Sequence, residues 1–98
     1  MMKAVIEYGG GGVATIWGNF SEEDVKPAFY RCANDMFGIR KSIMKDDLVS
    51  IEPVDSLPHP WSLMKDATLV LEHNCGGGVF KDVAVWNSKH EKIKSEWD

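Results

Sequence analysis

Cysteine is scarce. The chain holds only Cys32 and Cys75, too few for a disulfide-stapled scaffold. No apolar run approaches the roughly 18 residues that a membrane helix needs. The first apolar stretch, Ala4-Val5-Ile6, ends at Glu7, so no secretory signal is expected there. Together these absences point to a cytoplasmic protein with reduced thiols. Basic excess is also missing: 11 Lys and Arg stand against 15 Asp and Glu. Without a basic patch to neutralise phosphates, nucleic acid is not an expected partner. The basic residues Lys89, Lys92 and Lys94 are interrupted by Glu91 and Glu96, as on a solvated surface.

What is present describes an ordinary globular chain. Of its 98 residues 44% are hydrophobic and 27% charged, which excludes disorder and suffices for one core. A single domain over residues 1–98 is expected.

Two β-prone runs, 3–8 and 13–17, flank Gly9–Gly12. Glycine supplies the positive φ of tight loops, so this reads as a hairpin. A second hairpin is expected from 67–73 and 79–86 around Asn74-Cys75-Gly76-Gly77-Gly78. Val83 to Trp86 is apolar on both parities, which marks a central strand. Leu48 to Ile51 reads as a strand that Pro53 ends or places at an edge, and Ile39 and Ile43 share strand parity.

The helices are signalled by caps and stripes. Ser21 and Asp24 can cap a helix over about 25–37, with Pro27 tolerated in its first turn. Val25, Phe29, Cys32 and Met36 form one apolar stripe, so Cys32 is a core residue. Pro60 opens a short helix over 60–66. Ser88 and Glu91 make a capping box for a last helix, 88–97, with Ile93 and Trp97 on its contact face. The fold expected is α+β: an antiparallel sheet of four to six strands built from β-hairpins, with two or three helices on one face. The similar first and last thirds suggest ββα repeats.

No chemical motif stands out. Gly9-x-Gly11-x-x-Ala14 fits a relaxed dinucleotide fingerprint, but strand-forming residues follow it where a helix should start. His73, Cys75, His59, His90 and Cys32 lack the paired spacings of a zinc site. Cys75 lies before three glycines, whose N–H groups can lower a thiol pKa. A phosphatase loop needs arginine six residues on, and Lys81 stands there. No metal or cofactor is expected.

The function expected is therefore a small non-catalytic protein-interaction module that binds a protein partner or itself. Its contact residues are Pro58, His59, Pro60 and Trp61. Two prolines stiffen this loop before docking, and tryptophan is enriched at binding hot spots. In the rival structural reading, Trp61 covers the domain's own core beside Leu57 and Leu63. Two other functions are carried: a thiol enzyme using Cys75 with a histidine, and an anionic-ligand binder using the glycine loops.

Overall fold

The computed structural model describes residues 1–8, 12–33, 48–75 and 80–97. Six strands form one antiparallel sheet: β1 (Met2–Tyr8), β2 (Gly12–Gly18), β3 (Leu48–Pro53), β4 (Leu69–Cys75), β5 (Phe80–Trp86) and β6 (Lys92–Trp97). Their order is β3-β1-β2-β4-β5-β6. The hairpins β1–β2 and β4–β5 stand as the sequence indicates, joined by the β2–β4 seam, where Ala14 pairs with His73 and Ile16 with Leu71. β5 is flanked on both sides, and Val83 to Trp86 are all buried. Pro53 ends β3, which lies at one edge. Without an N–H, proline is tolerated there and not inside a sheet. Residues 39–47, where the sequence leaves open a strand sharing the parity of Ile39 and Ile43 or a helical extension over 40–46, lie outside the described residues.

The α-helix α1 spans Val25–Ala33, preceded by a 3₁₀ turn over Glu22–Asp24. Pro27 falls in its first turn. Ser21 donates its hydroxyl to Asp24 Oδ2 at 2.9 Å, so the two side chains satisfy each other. Residues 34–37, expected to continue this helix, lie outside the described residues. Val25, Phe29 and Cys32 are fully buried against the sheet.

Cross-strand pairs explain the fit beneath α1. Ala4 stands opposite Ile16, Ile6 opposite Ala14, and Leu71 opposite Ala84. Each pair sets a small side chain against a large one, which makes a surface into which Phe29 packs with the buried Trp86 in the same cluster. The opposite face carries a second cluster of Leu57, Val70, Val83 and Val85. The connection from β3 to β4 supplies its cover. Alternation along β4 and β5 thus feeds two cores, one on each side of the sheet.

The expected last helix is a strand. Asn87 decides this. Its Oδ1 accepts from the backbone N–H groups of Lys89 (3.0 Å) and Glu91 (2.9 Å), and its Nδ2 donates to Glu91 Oε1 at 3.0 Å. The Asn87 N–H also donates to the Glu91 carbonyl at 3.0 Å. Glu91 is therefore held in a hairpin loop rather than in a capping box with Ser88. Lys92–Trp97 returns along β5, and the ββα pattern fails in the last third. Among the described residues one α-helix is present, fewer than expected. The expected helix over 60–66 shrinks to a 3₁₀ turn at Trp61–Leu63.

Candidate functional site

The connection between β3 and β4 runs at the end of the sheet marked by Gly18, Leu69 and Trp86. It is tied down at both ends. The Val54 N–H donates to the Met1 carbonyl (2.9 Å), and the Thr68 N–H to the Trp86 carbonyl (2.9 Å). Between them, the N–H groups of Ser62, Leu63 and Met64 donate to the carbonyls of Pro58, Pro60 and Trp61, each at 3.0 Å. These bonds build the 3₁₀ turn without help from another element.

The four residues singled out in the sequence have distinct places. Pro58 is half-buried, and His59 and Pro60 are exposed. The His59–Pro60 peptide is cis. Trp61 is half-buried and packs on the second core with Met64 and Ala67. Leu57 is buried in that same core. Leu63 is 74% exposed, whereas the rival structural reading set it beside Leu57 under Trp61. The turn thus inserts one large apolar side chain and holds another out in water. Leu63 was missed because nothing in the order Trp-Ser-Leu-Met says which of three apolar residues a 3₁₀ turn turns outward.

At the same end of the sheet a cavity of about 430 Å³ opens between α1 and the β5–β6 loop. Phe20, Ala28 and Leu69 give it apolar walls, and Asp24, Arg31 and His90 add polar groups. His90 has φ 59, an uncommon left-handed conformation for a residue with a Cβ. Its ring stacks on the buried Trp86, with centroids 5.8 Å apart and planes 12° from parallel.

On the helix side, His73 pairs with Asp82 across β4 and β5. Nδ1 and Oδ2 lie 3.6 Å apart, with side chains 7% and 17% exposed. That distance is electrostatic contact rather than a hydrogen bond. His73 shares strand parity with Cys75, whose side chain is outside the described residues. Trp86 and the His90 loop lie at the other end of β4 and β5, roughly 20 Å from Cys75 at ~3.4 Å per residue. The β3–β4 connection that carries His59 also joins the sheet at that far end. Of the three histidines considered as a base, only His73 is near Cys75 along the sheet. Residues 9–11 and 76–79 of the two glycine-rich segments fall outside the described residues. Among the described residues no cluster of three or more His, Cys, Asp or Glu is placed to hold a metal, and no helix is long and apolar enough to cross a membrane.

No family model, curated protein or solved structure matches this chain.

Proposed function

We propose that the chain is a small protein-interaction module without catalytic chemistry, and that it meets a protein partner through the Pro58–Met64 loop. The observation that carries this reading is Leu63, 74% exposed on a turn whose neighbour Trp61 is anchored in the second core. An apolar side chain held in water by a braced backbone loses little entropy on docking. His59 and Pro60 flank it as exposed residues. Trp61 packs on the second core and so fixes the loop that carries Leu63.

Paired substitutions test this. Leu63→Ser should leave the unfolding free energy from urea denaturation within about 0.5 kcal/mol of wild type, as at most surface positions, and abolish capture of the partner. Trp61→Ala should destabilise by roughly 2 kcal/mol, below the ~3–5 kcal/mol of a fully buried tryptophan, because Trp61 is only half-buried. If Leu63→Ser retains every partner of the wild type, the loop is not the contact surface.

A second reading rests on the cavity beside α1. Its 430 Å³ lies within the ~300–1,000 Å³ range of small-molecule sites, and Arg31 offers a cation at its wall. A carboxylate- or phosphate-bearing metabolite held there would raise the melting temperature of wild type and not of Arg31→Ala.

A further inference from the structure

The two edges of the sheet differ. β3 ends in Pro53, which cannot donate, and its neighbour Glu52 is drawn to Lys3 at 3.9 Å. β6 has no proline, and among the described residues no strand lies beyond it. Ile93 on this strand is 37% exposed, and Lys92 and Lys94 are exposed. A strand edge of this kind is a row of backbone donors and acceptors open to another strand.

The sequence of β6, Lys92-Ile93-Lys94-Ser95-Glu96-Trp97, indicates what that strand is. A two-fold axis perpendicular to a sheet keeps each residue on its own face. Two copies of β6 related in this way must therefore pair about a residue, not between residues. Centred on Ser95, the register sets Lys94 opposite the second copy's Glu96, and Glu96 opposite its Lys94. Lys94 and Glu96 stand opposite Val85 and Val83 in β5, so they share one face. On the other parity, Ile93 comes opposite the position of Trp97. Around the neutral Ser95 pair, the flanking pairs are then opposite in charge or apolar. Centring on Lys94 instead opposes two lysines, and centring on Glu96 opposes two glutamates, each costing like-charge repulsion. The irregularity between β5 and β6 falls at Ile93, between the Val85–Lys94 and Trp86–Lys92 pairs, so the central Lys94–Glu96 stretch is regular.

We propose that β6 is a homodimerisation edge, on which a second copy of this chain adds its own β6 in antiparallel register about Ser95 to make one sheet of twelve strands. The proposal does not depend on the Pro58–Met64 loop as a partner site. One six-residue strand pair buries little area, so the dimer is weak and concentration-dependent.

Sedimentation equilibrium of the full chain at high-micromolar concentration tests it. Wild type should show a monomer–dimer equilibrium. Glu96→Lys and Lys94→Glu should each weaken it by about tenfold or more, because each sets like charges opposite in two places. Combining the two substitutions reverses both charges and restores the pattern, so the double variant should dimerise like wild type. Leu63→Ser should leave the dimer intact. As a check independent of charge, Ser95→Cys should give an oxidised covalent dimer that wild type does not form under the same oxidant, since the two cysteines meet at the axis. A monomeric wild type overturns the proposal, as does a dimer indifferent to Glu96→Lys, or one lost in Leu63→Ser. So does a folded double variant that stays monomeric. If the charge variants fail to fold by circular dichroism, absence of the Ser95→Cys cross-link overturns it.

Discussion

The ring of His90 lies nearly parallel to that of Trp86, 5.8 Å between centroids, and His90 reaches it from a backbone with φ 59. The stacking and the strain oppose one another in energy. An aromatic pair is worth about 0.5–1.5 kcal/mol beyond its area. A left-handed residue with a Cβ costs roughly 1–2 kcal/mol. His90→Ala keeps the strain and loses the ring, and should destabilise by about 1 kcal/mol. His90→Gly loses the ring but relieves the strain, and should fall near wild type. Urea denaturation of the two variants separates the terms. Equal losses would mean that the backbone at 90 is not strained.

Asn87 keeps β6 a strand. Asn87→Ala removes the acceptor for two backbone N–H groups and the donor to Glu91. The loop is largely exposed and water replaces part of this, so the expected loss is about 1 kcal/mol. Asn87→Asp keeps the acceptor but sets a carboxylate beside Glu91, and should lie between. Amide exchange in β6 should quicken in the same order.

Gly18 is buried where β1, β2 and β4 meet. A Cβ there would stand 2.5 Å from Leu69 Cδ1 and 3.4 Å from Phe20 Cδ2. Leu69 can rotate away, so Gly18→Ala should cost only about 1 kcal/mol, the low end of overpacking. Gly18→Val should cost roughly 2–3 kcal/mol. With Leu69→Ala as background, the penalty of Gly18→Ala should nearly vanish in a double-mutant cycle. An additive cycle would show that the obstruction is not Leu69.

Cys32 is fully buried between α1 and the sheet. Cys32→Asp should destabilise by roughly 3 kcal/mol or more, since a carboxylate has to enter an apolar core. Cys32→Ala should cost about 1 kcal/mol. Bulky thiol reagents should label Cys32 only at the rate of unfolding, and rapid labelling in native buffer would contradict its burial.

Local chemistry in the sequence was enough for the two hairpins, β3 and the start of α1. Pro27, Pro53 and the stripe Val25, Phe29 and Cys32 act within a few residues of themselves. The last element was misread because Ser88-x-x-Glu91 has the spacing of a cap, while Asn87, one residue earlier, takes the N–H groups that a cap would need. The polar–apolar alternation of Lys92-Ile93-Lys94 carried the correct signal. The His73–Asp82 contact was out of reach, because it exists only once β4 and β5 are in register. The candidate loop was half legible. Its prolines mark a stiff segment, but whether Trp61 or Leu63 faces water depends on a second core assembled from Leu57, Val70, Val83 and Val85.

The β2–β4 seam has a kinetic consequence. It joins residues 13–18 to residues 69–74, whereas β1–β2 and the β4–β5–β6 meander each pair neighbours along the chain. Closing the long intervening loop costs entropy before the seam's contacts repay it. The β1–β2 hairpin and the β4–β5–β6 meander are therefore expected to gain order locally first, before the long-range β2–β4 and β1–β3 pairings close. Truncations at Ile16 or Leu71 then slow folding, while loss of the Asn87 loop mainly speeds unfolding. The seam that makes two hairpins one sheet shares this loop-closure cost with the β1–β3 pairing, which joins residues 2–6 to 48–53.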